Sequence, residues 1–279
     1  MGANQSISIN LQFKTRLPAS LCLVMAGLFI LMSIAIRGRG SQGVSQIKLS
    51  VEDPRPVAEA ILKLENKYGW VITYEDPRYV HDSEIADVTL RVSRDLDKYK
   101  PGEGPKVLIP RGGILEFTYD VTPNTNLPPD PAMVVQKLLS AQAASNNAGR
   151  FRSESSGKTM HVIPTAIKNS EGALVPQESV FDTIISLPVE ERTGEQKLRS
   201  ICAAISRATK IGVDLGTIPT NLFDQHRNRQ GATSQRARDI LVNMFGTMNN
   251  GTKLSWRLLY GPGLKRYVLN VHMVSKRDG

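Results

Sequence analysis

The sequence predicts an α+β fold of two related modules, each a strand, helix and strand followed by a helix and hairpin, with the helices packed on small mixed sheets. Three observations carry this reading. Four stretches show helical apolar spacing, and strand-like alternation follows them. Helix start signals stand where those stretches begin. The order of elements in the first half of the chain returns in the second, and the first helix with its following strand keeps a constant offset.

The first helical stretch places Val57, Ile61, Leu64 and Tyr68 on one face; the third does the same with Leu198, Cys202, Ile205 and Thr209. The fourth carries Ala237, Leu241, Met244 and Met248, and the second, Pro131 to Asn146, carries Val134, Leu138 and Ala141. Asp53-Pro54 and Asp130-Pro131 each offer an acceptor side chain before a proline at the first helical position. Thr193 and Gln196 have the spacing of a capping box, and Gly69 suits the left-handed residue that ends a helix.

The flanks match too. Ile47 to Asp53 ("IKLSVED") precedes the first helix and Ile185 to Glu191 ("ISLPVEE") precedes the third. From Val57 and Leu198 to Tyr74 and Leu215, helix and following strand keep a 141-residue offset. The second and fourth helices lead into hairpins, "FRSESSGKTMHVIP" and "LSWRLLYGPGLKRYVLNVHMV", each with a histidine in its last strand, His161 and His272. The modules are thus expected at 44–166 and 178–275. Trp70 and Trp256 fall in different parts of their modules and are expected to anchor the cores.

Composition is that of a globular chain: 279 residues, 41% hydrophobic and 22% charged, with a net charge of +9. The N-terminus differs. Lys14 and Arg16 precede the apolar run Leu21 to Met32 and the small-residue site Ser33-Ile34-Ala35, which is the layout of a signal peptide over residues 1–35. The alternative is an uncleaved inner-membrane anchor over residues 17–36. Either way the expected place is the periplasm or the extracellular side, with membrane contact only through this segment if it is retained. Met1 to Ser6 also fits a myristoylation pattern, for which coincidence is the better account before an export-type run. Cys22 lies in the expected leader, so the mature chain keeps only Cys202 and no internal disulfide can form.

No chemical motif stands out. His81, Asp82, Glu84 and Asp87 form the densest group of metal-ligand types but lack the spacing of a known site, so no metal or cofactor is expected. "PGEGPKVLIPRGG" lacks the Lys-Ser/Thr of a phosphate loop, and no G-x-S-x-G elbow occurs. The most unusual surface is Arg227, Arg229, Arg236 and Arg238, four arginines within twelve residues. They make a candidate site for an anion, an acidic polymer or an acidic envelope protein. No nucleic acid is expected, since no aromatic residues interleave the arginines.

"IKLSVEDPRPVAEAILKLENKYGWVITYED", and the third unit continued through "ARDILVNMFGTMNNGTKLSWRLLYGPGLKRYVL", resemble the secretin and TonB short N-terminal (STN) module. The resemblance implies the order strand, helix, strand, helix and closing strands, and a role in periplasmic docking or signal relay rather than catalysis. It also implies a host body, and no run of barrel strands follows here. The expectation is therefore a non-enzymatic, exported interaction or scaffold protein. The alternative is an exported hydrolase of envelope polymers, its site drawn from the long connections 76–112 and 217–232, with His226, Asp214 or Asp224 in it.

Overall fold

The computed structural model describes residues 45–92, 104–123, 127–248 and 251–276. The expected leader and anchor lie outside them. Among the described residues no helix is long and apolar enough to cross a membrane.

The first module runs β1 (Ser45–Asp53), α1 (Pro56–Tyr68), β2 (Val71–Glu75), β3 (Ile85–Asp87), α2 (Thr89–Val92), β4 (Leu108–Pro110), β5 (Gly113–Val121), α3 (Pro131–Ala144), and the hairpin β6 (Arg150–Ser156) and β7 (Thr159–Lys168). After β8 (Leu174–Pro176) come β9 (Ile184–Leu187), β10 (Glu191–Thr193), α4 (Gly194–Thr209), β11 (Gly212–Leu215), α5 (Thr220–Gln225), β12 (Arg227–Arg229), β13 (Ala232–Arg236), α6 (Ala237–Thr247), and the hairpin β14 (Lys253–Gly261) and β15 (Arg266–Val274). The fold is α+β.

The pairing repeats between the halves. β1 and β5 form an antiparallel ribbon, as do β9 and β13. β2 runs parallel to β7, which pairs antiparallel with β6; β11 runs parallel to β15, which pairs antiparallel with β14. The registers correspond: Val71 to Tyr74 lie against Thr159 to Val162, and Gly212 to Leu215 against Arg266 to Leu269. In the first module α1 and α3 touch both the ribbon and the larger sheet. There Val57, Ile61 and Leu64 meet Leu49, Phe117, Val134, Leu138, Ile72 and Val162 in one core. In the second, Leu198, Cys202 and Ile205 meet Leu187, Leu241, Met244, Val213 and Leu269. Each fully buried aliphatic side chain contributes roughly 1.5–3 kcal/mol, so these stripes are what hold the helices to the sheets.

The ends of the helices follow local chemistry. Thr193 and Gln196 exchange both capping-box hydrogen bonds, at 2.9 and 3.3 Å. Asp130 accepts from the Ala132 amide at 3.0 Å at the start of α3. α1 starts two residues later than the Asp53-Pro54 signal suggests. Arg55 precedes Pro56 and is held out of the helical region, so the second proline opens the helix. Asp53 instead accepts from the Arg55 amide at 2.7 Å. Gly69 ends α1 at φ 66°, and its counterpart Lys210 ends α4 in the same left-handed conformation at φ 61°.

Two sequence matches stop at the pattern. Val51 is buried in β1, but Val189 is 65% exposed, because Pro188 has no amide to donate and β9 stops at Leu187. His161 and His272 are not counterparts either: in register His161 lies opposite Thr73, whereas the residue matching it in β15 is Val268, opposite Asp214.

The two larger sheets join into one. β14 lies parallel to β2, giving the order β11-β15-β14-β2-β7-β6, with β8 on the β2 side of β7. The described residues belong to a single compact unit.

Candidate functional site

The joint between β2 and β14 is short, Tyr74 and Glu75 against Arg257 and Leu258, yet it gathers most of the buried charge. β2 delivers Glu75 and Asp76 where an apolar strand ends, and both are almost fully buried. Asp76 is saturated. One carboxylate oxygen accepts from the Tyr74 and Tyr79 hydroxyls at 2.8 and 3.1 Å. The other accepts from Arg55 Nε at 2.6 Å and the Tyr260 amide at 2.8 Å. Arg55 Nη2 also donates to the Tyr260 carbonyl at 2.8 Å, so one carboxylate and one guanidinium clasp the second module to the first. Burial raises both tyrosine hydroxyls well above their usual pKa, so they remain donors.

Glu75 points to the other side of the strand. Arg238, 1% exposed, brings Nη1 to 2.6 Å from Glu75 Oε1 in a buried ion pair. Arg238 also donates to Asp182 at 3.2 Å and to the Ser179 hydroxyl at 2.8 Å. Burial pushes the Glu75 carboxyl up, against the opposing pull of Arg238. Beside it His161 is fully buried, its Nδ1 2.7 Å from Thr73 Oγ1 and its ring stacked on Trp256 at 5.3 Å. Burial first, then the nearby Arg238 charge, lowers its pKa to about 4.

A cleft of about 250 Å³ opens at one end of the joint, between α1 and the end of β15. Its floor is Glu65, which accepts from the Ile72 amide at 3.2 Å, from Arg257 Nη2 at 3.0 Å and lies 2.9 Å from His272 Nε2. A histidine on a buried carboxylate is half of a nucleophile-activating arrangement. Among the described residues no hydroxyl or thiol hydrogen-bonds His272, so the other half is missing from this geometry.

The four arginines do not form one surface. Arg227 and Arg229 lie exposed on β12, paired with β10, where Arg229 faces Glu191 across the ribbon. Arg236, at the end of β13, is engaged by Asp239 at 3.0 Å and by Glu154 at 3.6 Å. Arg238 is buried and its charge is spent on Glu75 and Asp182, so it is closed to an outside anion. The alternation of β13 into α6 turns one side chain outward and the other into the core.

Among the described residues the connections do not bring His226, Asp214 and Asp224 together. Asp214 pairs with Arg266 at 2.7 Å, His226 meets Asn228 at 3.0 Å, Asp224 is exposed, and none of the three bonds another. His81 is spent on its own turn, accepting from the Ser83 amide at 3.2 Å. Among the described residues no three His, Cys, Asp or Glu side chains group as metal ligands.

Glu65, Glu75, Asp76, Arg55 and Arg257 escape a reading by spacing, because their partners lie far away in sequence. One signal was available. "TYED" places two acids directly after an alternating apolar strand, where a solvated end needs none. Comparison of the chain with family models, with curated proteins and with solved structures finds no match.

Proposed function

We propose that this chain is a non-enzymatic interaction or scaffold protein of the bacterial envelope, exported by its N-terminal segment and built from two STN-like modules. One observation carries the reading: a single module built twice and joined through its sheets, with Arg55, Glu75, Asp76 and Arg238 engaged in holding the joint. Each half opens with strand, helix and strand and closes with helix and hairpin, with further short elements between, and this order supports the STN resemblance. Arg227 and Arg229 are two exposed guanidinium groups on β12. These suit an acidic face of an envelope protein or an acidic envelope polymer.

Photo-reactive residues at positions 225 and 230, which flank the two arginines, introduced in cells that express the full chain, test this. The expected result is a discrete adduct with an envelope component that is lost when the cells are lysed at high salt before irradiation. Adducts only with cytoplasmic proteins, or none from either position, overturn the reading.

A further inference from the structure

The joint inside the chain is head-to-tail, because β14 and β2 are different parts of the module. Such a joint leaves its two complements unused at the ends of the sheet. The hairpin registers identify them. Ser156 opposite Thr159 corresponds to Gly261 opposite Arg266, so Arg152 matches Arg257 and Ser153 matches Leu258. β6 is therefore the counterpart of β14. In the same way Leu215 matches Tyr74, and β11 is the counterpart of β2. The sheet ends on these two strands, and among the described residues no strand pairs with the outer side of either.

We propose that a second copy of this chain docks there, β11 of one copy lying parallel to β6 of the next, with Leu215 opposite Arg152 and Gly216 opposite Ser153. The backbone is aimed for it. Across the internal joint the Leu258 carbonyl accepts from the Asp76 amide at 2.8 Å, so the polar groups of its counterpart Ser153 face outward. On the receiving strand Ser206 takes the Val213 amide at 2.8 Å, as Glu65 takes that of Ile72, and the internal joint accommodates that arrangement. Arg152 is about half exposed and can swing to a new partner.

Two differences make this contact weaker than the internal one. Ser206 offers the incoming arginine no carboxylate where Glu65 offers one to Arg257. The Thr217 amide, counterpart of that of Asp76, is already held by Asn270 at 2.9 Å. Arg152 and Glu154 also charge the β6 edge, a device that blunts indiscriminate strand addition. The assembly is consequently one of high local concentration, closing into a ring or extending as a filament according to the rotation per copy. It needs no other protein and so stands apart from the docking reading.

Sedimentation velocity of the full chain in nonionic detergent, over roughly a hundredfold range of concentration, tests it. Species larger than a dimer are expected to grow with concentration. Ser206→Glu supplies the missing carboxylate and should tighten association roughly tenfold, the value of one charge-assisted hydrogen bond. Arg152→Ala in that background should cancel the gain. Ser153→Pro removes an outward donor from an edge strand without breaking the ladder, and should return the chain to monomer with its circular dichroism unchanged. A wild type and a Ser206→Glu variant that both stay monomeric throughout, or an assembly that persists in Ser153→Pro, overturn the proposal.

Discussion

Glu65 and Ser206 occupy the same place in the two modules, and each takes the amide of the strand that follows its helix, Ile72 at 3.2 Å and Val213 at 2.8 Å. The hydroxyl satisfies one amide of an edge strand and no more. The carboxylate does more: its second oxygen accepts Arg257 from the other module. One position in a repeated unit thus separates the half that is joined from the half that ends the sheet.

The ion pair of Arg238 and Glu75 is expected to matter most when it is broken on one side. Arg238→Met leaves a carboxylate buried without its cation and should cost about 3–5 kcal/mol. Adding Glu75→Gln should recover much of that loss, because the stranded charge is removed. Urea unfolding of the two variants measures both; a loss below about 1 kcal/mol in the single variant would show that water reaches Glu75.

His161 should make the protein acid-sensitive. Its folded pKa is about 4, and an unfolded histidine titrates near 6.5. Between those values the unfolded chain holds a proton that the native one does not, so stability falls as the pH drops through this window and is level above it. The full effect is about 3 kcal/mol. Denaturation midpoints followed from pH 7 to pH 4 should fall less steeply for His161→Asn; equal slopes would assign the acid sensitivity to other groups.

Arg227 and Arg229 are exposed, so replacing both with alanine should leave the melting temperature within a degree or so. Binding to a soluble polyglutamate probe should weaken in that variant, and in the wild type should weaken as salt shortens the screening length to about 8 Å. Earlier melting with undiminished binding would make the pair structural, fastening β12 to β10.

Cys202 should be chemically silent in the folded state. It is buried, and desolvation pushes its thiol pKa up to about 12. In a Cys22→Ser background, alkylation by iodoacetamide at pH 8 should be negligible without denaturant and complete in urea. Rapid labelling of the native protein would mean that α4 opens locally.

What was legible in the sequence was whatever lies within one element or between neighbours. The stripes Val57–Ile61–Leu64 and Leu198–Cys202–Ile205 are fixed by helical geometry, and all six side chains are buried. Trp256 sits in the second core, whereas Trp70 is only partly buried, stacked on Tyr68 at 4.3 Å. The joint was illegible because nothing local encodes it: Arg55 meets Tyr260, and Glu65 meets Arg257, only after the sheets have come together. The arginine cluster misled for a related reason. Proximity in sequence put Arg236 and Arg238 beside Arg227, but a strand turning into a helix sends neighbouring side chains to solvent and to core alike.

The distance in sequence across the joint also sets a timetable for synthesis. Ile72 and Ser255 hydrogen-bond at 3.0 Å across 183 residues of chain. At about 5–20 residues per second, β2 waits roughly ten to forty seconds for β14 to be made. Throughout that interval the nascent first module carries a bare strand edge, and Glu65 and Asp76 lack the cation and the amide that the second half supplies. A chain cut short before Lys253 lacks β14 altogether, so its β2 has no partner on that side, and an unpaired edge is a template for mispairing.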